Sequence, residues 1–170
     1  AIFGGEGDDE IDGGEGDDII FGGAGADEIN AGDSDDFIGT SGDDGSDDDD
    51  DGGDGVDTIS FGTDAEGVTV NLDDDDNDEF DIDANTARGG DTIEGIENVV
   101  TGSGDDVIIG QTGEANEIDA GAGDDLVVGG KDDSLVGGAG VDTLRISMTR
   151  DEFEGSDFQN EVAAYRADPS

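Results

Sequence analysis

A nine-residue period constrains this chain more than any other feature. The segments Gly4 to Asp12, Gly13 to Phe21, Gly22 to Asn30 and Ala31 to Gly39 follow one another without a gap. The first three share the form Gly-Gly-x-Gly-x-Asp-x-Ile-x, and the fourth keeps it with Ala31 and Ser34 at the first and fourth places. The sixth place holds Asp9, Asp18, Asp27 and Asp36, and the eighth holds Ile11, Ile20, Ile29 and Ile38. Ile2 extends the eighth-place series backwards, so the chain is expected to begin inside a repeat and to be a fragment of something longer. A unit this short cannot enclose a core of its own, and must stack on its neighbours.

The register breaks after Gly39. Residues 42–51 are almost purely Asp, Gly and Ser, with a five-Asp run at Asp47 to Asp51, and read as a looped-out insertion. The motif returns at Gly52 to Ser60, with Asp57 sixth and Ile59 eighth. Val68 to Leu72 alternates with β-branched residues and predicts a strand. A second acidic loop spans about 73–83. Strand signals come back at Gly90 to Ile93, where Asp91 takes the sixth role, and at Ile96 to Val100.

A second repeat block starts near Thr101. Its sixth places are Asp106, Asn116, Asp125, Asp133 and Asp142, and its eighth places Ile108, Ile118, Val127, Leu135 and Leu144. The unit Gly110 to Asp119 has one residue too many and the unit Gly129 to Val136 one too few, so the two irregularities cancel. From Ile146 onward the composition changes. Ser156 followed by Gln159 fits a capping box, and Phe158, Val162 and Tyr165 share a helical face. That tail reads as a short helix that caps the stack or opens a next domain, against a frayed end.

Composition excludes several functions. Of 170 residues, 51 are acidic and five basic, for a formal charge of -46. Nucleic acid is thereby a poor partner. There is no Cys and no His, so disulfide scaffolds, His-based catalysis and His/Cys zinc sites fall away. No apolar run approaches a membrane span. High charge alone would suggest disorder. Asp outnumbers Glu 38 to 13, however, and Asp with Gly belongs to turns and to sites for hard metals.

Each unit divides into a six-residue turn and a three-residue strand. The eighth side chain then faces inward in every unit, because neighbours on a strand point to opposite sides. Two units make one coil of 18 residues, and the coils build two facing parallel sheets. The expected fold is all-β: a right-handed parallel β-roll, a form of β-solenoid, in two repeat blocks with a β-rich linker and a short C-terminal helix or cap. The expected divisions are 1–60 with an acidic insertion at 40–51, a linker at 61–100, a second block at 101–145, and the cap or next domain at 146–170.

The Gly-Gly-x-Gly-x-Asp-x-(large aliphatic)-x pattern resembles the RTX (repeats-in-toxin) family, the hemolysin-type calcium-binding repeats of secreted bacterial proteins. The resemblance covers 1–60 and 101–145, and the intervening segment resembles the linkers between repeat blocks in such proteins. It implies a calcium-dependent module, secreted and acting outside the cell or at its surface.

The residues themselves support that ligand. Calcium takes six to eight oxygens from carboxylates and carbonyls. One turn cannot supply them, whereas stacked turns on one edge can. The expected pairs are Asp9 with Asp27, Asp18 with Asp36, Asp106 with Asp125, Asn116 with Asp133, and Asp125 with Asp142. Asp57 and Asp91 complete the candidate side-chain ligands. The resemblance implies carbonyl ligands from Gly4, Gly7, Gly13, Gly16, Gly22, Gly25, Gly102, Gly104, Gly121, Gly123, Gly138 and Gly140. Asn116 removes a charge, and Lys131 occupies a shortened turn, so both weaken their sites. Roughly five to eight ions are expected, bound at about 10⁻⁴–10⁻³ M as in extracellular calcium modules. Folding coupled to binding follows from the thin aliphatic core. The acidic loops read as solvated insertions or as weaker ion sites.

The functional reading is a folding and spacer module of a larger secreted protein. Alternatives are a subunit of a surface layer, adhesin stalk or filament, with modules or copies stacked end to end, and a non-catalytic C-terminal module of a secreted hydrolase. Equivalent repeated turns do not push two carboxyl pKa values apart, so no catalytic activity is expected within these residues. Phe3 and Phe21, one coil apart, are expected to stack on an outer face.

Overall fold

The eighth-place aliphatics organise the whole molecule. The structure is a computed structural model, and it describes residues 1–40, 46–63, 66–73, 86–87 and 91–147. In chain order its strands are β1 (Ile2–Glu6), β2 (Glu10–Glu15), β3 (Ile19–Ala24), β4 (Glu28–Asp33), β5 (Phe37–Gly39), β6 (Asp49–Asp54), β7 (Thr58–Ser60) and β8 (Thr69–Asn71). They continue with β9 (Thr86–Ala87), β10 (Asp91–Glu94), β11 (Asn98–Val100), β12 (Val107–Ile109), β13 (Glu117–Asp119), β14 (Leu126–Gly129), β15 (Ser134–Val136) and β16 (Thr143–Ile146). There is no helix among the described residues.

Alternate strands feed opposite sheets. One sheet has the order β1-β3-β5-β7-β11-β13-β15 and the other β16-β14-β12-β8-β9-β10-β6-β4-β2. All pairings are parallel except those of β9, which lies antiparallel to β8 and β10. The result is a parallel β-solenoid of about six turns.

Register follows the sequence period. In the first sheet Ile2, Ile20, Ile38, Ile59, Val99, Ile118 and Leu135 stand opposite one another in succession. Ile20, Ile59, Val99 and Ile118 have no exposed surface at all. Each such residue contributes about 1.5–3 kcal/mol of burial, so a coil with two of them gains only a few kcal/mol from its core. Outer residues follow the same ladder. The rings of Phe3 and Phe21 stack at 5.3 Å and 6°, as expected of residues one coil apart.

β5, β7, β8, β11, β12, β13 and β15 have the three residues expected, whereas the early strands are longer. β2, β3 and β4 each run six residues; β2 and β3 include the Gly-Gly pair that opens the next unit, and β4 the corresponding Ala31-Gly32. The pair serves two needs. Gly5 takes φ +119, a left-handed conformation that a Cβ disfavours. Gly4 has an ordinary φ but no room, since a Cβ there would lie 2.7 Å from Asp9 Oδ2 and against the Gly22 carbonyl oxygen.

Two expectations about organisation change. The insertion expected over 40–51 is corrected at its C-terminal end. Asp49, Asp50 and Asp51 belong to β6, opposite Glu28, Ile29 and Asn30 of β4 and Thr92, Ile93 and Glu94 of β10. Gly53 pairs with Gly32, and that close backbone stacking sets the register. Residues 41–45 lie outside the described residues. The segment 61–100, expected to be a linker, contributes β8 to β11 to the same two sheets as the repeats. Phe61, Val68, Leu72 and Ile96 are buried there, so the core is thickest where the repeat is least regular. Of the acidic loop at 73–83 only Asp73 is described. Of the tail at 146–170, Ile146 ends β16 and Ser147 follows it, and the expected helix lies outside the described residues.

The consequence of the β6 register is a carboxyl in the aliphatic ladder. Asp50 sits between Ile29 and Ile93, 2% exposed, and its Oδ1 has no hydrogen-bond partner. Burial, then repulsion from Asp48, Asp91 and Asp27, pushes its pKa up to about 8. Asp50→Val should therefore stabilise the folded chain by about 1–3 kcal/mol in urea unfolding at fixed calcium. A loss of stability would contradict the placement of this side chain.

Candidate metal centre

Each turn delivers its sixth-place side chain to an edge of the solenoid, two residues before the inward aliphatic. In-register stacking puts the next coil's sixth-place carboxyl beside it. On one edge the Asp9 amide donates to Asp27 Oδ1 at 3.0 Å, the Asp27 amide to Asp48 Oδ1 at 3.0 Å, and the Asp48 amide to Asp91 Oδ1 at 3.1 Å. Further along that edge Val68 donates to Asp106 at 2.7 Å, Asp106 to Asp125 at 2.8 Å, and Asp125 to Asp142 at 3.3 Å. On the other edge Asp18 donates to Asp36 at 2.7 Å, Asp36 to Asp57 at 2.7 Å, and Asp57 to Glu97 Oε2 at 2.8 Å. Asn116 then donates to Asp133 Oδ1 at 3.1 Å.

All five pairs expected from the sequence are thus brought together, and Asp57 and Asp91 join the same rows. Two members were missed. Asp48 is the sixth-place residue of the coil hidden in the Asp run. Glu97 takes that place in the coil of β11, two residues before Val99.

Asp36, Asp57, Asp106 and Asp125 each spend one carboxyl oxygen on a neighbouring coil. The Oδ2 atoms of Asp9, Asp36, Asp57, Asp106 and Asp125 are buried and accept no hydrogen bond. Such atoms are costly unless something positive meets them. Two of them face a glycine where a side chain would collide: a Cβ on Gly4 would lie 2.7 Å from Asp9 Oδ2, and one on Gly52 2.9 Å from Asp57 Oδ2. The electrostatics agree. Burial and the nearby Glu97 and Asp36 carboxyls lift the Asp57 pKa to about 6, although the Asp36 amide opposes them. Burial is also the main cause that raises Asp125, with Asp106 and Asp142 adding repulsion. Glu97 is raised by burial as well. Buried, mutually repelling oxygens without donors form a donor set for a hard cation. Among the described residues no three carboxyl groups converge. Each ion would therefore take carboxylates from successive coils and complete its shell with carbonyls.

The carbonyl ligands implied by the resemblance fall in two settings. Gly4, Gly13 and Gly22 lie within β1, β2 and β3. Gly7, Gly16, Gly25, Gly121, Gly123, Gly138 and Gly140 have positive φ, at bends in the path. Gly102 and Gly104 lie in the turn between β11 and β12. The oxygens of Gly102 and Gly121 each accept one amide from the adjacent coil, at 2.9 Å, which leaves a lone pair on each.

Asn116 and Asp133 differ from the rest. The Asn116 amide group donates to the Glu97 carbonyl at 2.8 Å and accepts from Gln111 at 2.7 Å. Both oxygens of Asp133 accept backbone amides, from Asn116 and Gly130. The structure brings this pair together but spends its oxygens within the protein.

The fifth place carries a second ladder that the sequence reading overlooked. Asp8 Oδ1 accepts from Ala26 at 3.1 Å, Asp35 from Val56 at 3.0 Å, Asp105 from Asp124 at 2.9 Å, and Asp124 from Val141 at 2.9 Å. Fifth-place carboxyls accept from the following coil, and sixth-place ones from the preceding coil. The Asp-Asp dipeptide of the motif therefore clamps both neighbours.

A family model for the RTX calcium-binding nonapeptide repeat matches residues 3–38, 13–49, 91–114, 100–133 and 119–145. The chain belongs to this family. No curated protein matches it. RTX repeats in a β-solenoid make the chain a calcium-binding β-roll module. The RTX match passes over residues 50–90, where Asp50 and Val68 depart from the nonapeptide pattern. No helix among the described residues is long and apolar enough to cross a membrane.

The two ladders make separable predictions. Asp124→Ala removes an exposed amide acceptor, and should cost about 1 kcal/mol in calcium-saturated unfolding while leaving the bound-ion count unchanged. A lost ion would show that the fifth place is also a ligand position.

Proposed function

We propose that calcium ions occupy the steps between successive sixth-place carboxylates, and that filling them drives the folding of an extracellular spacer module. The reading rests on one observation: Asp9, Asp36, Asp57, Asp106 and Asp125 each keep a buried oxygen with no donor, coil after coil. The ligand row on one edge is Asp9, Asp27, Asp48 and Asp91, continuing after Val68 with Asp106, Asp125 and Asp142. The other row is Asp18, Asp36, Asp57 and Glu97. Carbonyls of the Gly-rich turns complete the shells. Asn116 and Asp133 contribute least, because their polar atoms are already engaged. The ion number is roughly five to eight, at affinities of about 10⁻⁴–10⁻³ M. A chain of this kind stays open in a low-calcium cell and closes after export.

The module is non-catalytic. Its sixth-place carboxyls recur in one stacked turn geometry, taking backbone amides of the preceding coil. It serves as part of a larger secreted protein, with the two repeat blocks as the ion-binding segments of one stack.

Native mass spectrometry of the calcium-saturated chain tests the ligand rows. Asp9→Ala combined with Asp27→Ala should remove at least one ion, and so should Glu97→Ala with Asp57→Ala. Asn116→Ala should remove none. An unchanged count in both double variants would overturn the assignment.

A further inference from the structure

Both carboxyl ladders run to β15, which ends its sheet among the described residues. In the sixth-place row the amides of Asp18, Asp36, Asp57 and Asn116 each donate to the side chain of the following coil. The Asp133 amide is next in that series. In the fifth-place ladder Asp8, Asp35, Asp105 and Asp124 each accept an amide from the following coil. Asp132 holds that place in the coil of β15, with its carboxyl exposed beside Lys131. The backbone repeats the pattern. Amides just past each strand of this sheet donate to the strand after: Thr40 to Ser60 at 3.0 Å, Phe61 to Val100 at 2.8 Å, Thr101 to Asp119 at 2.9 Å and Ala120 to Val136 at 2.9 Å. Gly137 is next. The core thins at the same place. Val99 and Ile118 have no exposed surface, whereas Leu135 is only partly buried.

The sequence after β16 fits this edge place by place. One coil of 18 residues separates Asp132 from Arg150, Asp133 from Asp151 and Leu135 from Phe153. Asp151-Glu152-Phe153-Glu154-Gly155 also has the order of Asp9-Glu10-Ile11-Asp12-Gly13: a sixth-place carboxyl, an acidic outer residue, an apolar inward one, a second acidic outer residue and a glycine. The chain leaves β16 on the path this requires. Ile146 lies opposite Gly129, and the Ser147 amide donates to the Gly129 carbonyl at 2.7 Å. Gly129 precedes Leu135 by six residues and Ile146 precedes Phe153 by seven, so the new unit restores the residue that the turn at 129–133 lacks.

We infer that residues 148–154 add a further half-coil to the solenoid, with a parallel strand at 152–154 docked on the edge of β15. Phe153 enters the inward ladder beside Leu135. Asp151 accepts the Asp133 amide, and Asp132 accepts the Arg150 amide. The Glu152 amide donates to the Asp133 carbonyl, as that of Ser134 does to Asn116 at 2.8 Å. Gly137 donates to the carbonyl of Glu154. Both oxygens of Asp133 already take backbone amides, so this step closes by hydrogen bonds and needs no ion. The segment that follows the repeats thus covers a strand edge that would otherwise pair with another chain. The helix expected from Ser156 onward begins after this strand.

The test is amide hydrogen exchange on the calcium-saturated, full chain, read by ¹H–¹⁵N spectra. The amides of Asp133, Gly137, Arg150 and Glu152 should exchange at least about a hundredfold more slowly than in a free peptide. The Phe153 ring should also show nuclear Overhauser contacts to the Leu135 methyl groups. Phe153→Ala should lose at least about tenfold of the protection at all four amides. Phe153→Leu, which keeps an inward apolar residue, should retain it. The amides of Ile20 and Ile59, remote in the same sheet, should not change in either variant, which separates undocking from loss of the solenoid. Free-peptide exchange at Asp133 and Gly137 in the unaltered chain would overturn the inference. So would full protection in Phe153→Ala, or protection of Arg150 and Glu152 alone, the pattern of a helix that does not touch β15.

Discussion

The structure depends on like charges stacked one above another. Neighbouring strands stand about 4.8 Å apart, and two carboxylates at that spacing repel by about 3–4 kcal/mol at an effective dielectric near 20. Each coil gains a similar amount from its two inward aliphatics. The core and the carboxyl rows are thus opposed and of comparable size, while every added coil must still fix the backbone of some 18 residues. A divalent cation between coils reverses the sign of the carboxyl contribution. This is why buried oxygens of Asp9, Asp36 and Asp57 can stand without donors, and why the elevated pKa of Asp57 near 6 belongs to the ion-free arrangement.

The stacking is also directional. Fifth-place and sixth-place carboxyls bind amides of opposite neighbours, so Asp35-Asp36, Asp105-Asp106 and Asp124-Asp125 each tie three successive coils. The middle of the chain relies on a different balance. There Val68 replaces a carboxyl in one row, and Phe61, Leu72 and Ile96 add buried apolar surface. Where ligands thin out, packing thickens. Asp50 is the counter-example, a carboxyl placed in the aliphatic ladder against the local balance.

Much of this was legible in the period of nine. The spacing of Ile11, Ile20, Ile29 and Ile38 already implies two inward ladders, and the spacing of Asp9 and Asp27 already implies which turns meet. Asp48 and Asp50 were obscured because a run of identical residues offers no landmark. The landmark was downstream: Asp48 precedes Gly52-Gly53 by the same interval that separates Asp9 from Gly13-Gly14. Glu97 was readable too, as the residue two before the inward Val99, but the Gly-rich turn that normally announces the place is missing. The fifth-place ladder had no signal in spacing, since an exposed Asp in a turn reads equally well as solvated. Its role emerges only when Asp124 is seen beneath the amide of Val141.

The most direct test of calcium-driven folding is a far-UV circular dichroism titration of the whole chain with calcium, run beside sodium chloride in chelator. The account predicts a transition from disorder to β-structure at sub-millimolar to millimolar calcium, with no matching transition in sodium chloride. Folding driven equally well by sodium chloride would contradict it, because screening alone would then suffice and the carboxyl rows would not require a bound ion.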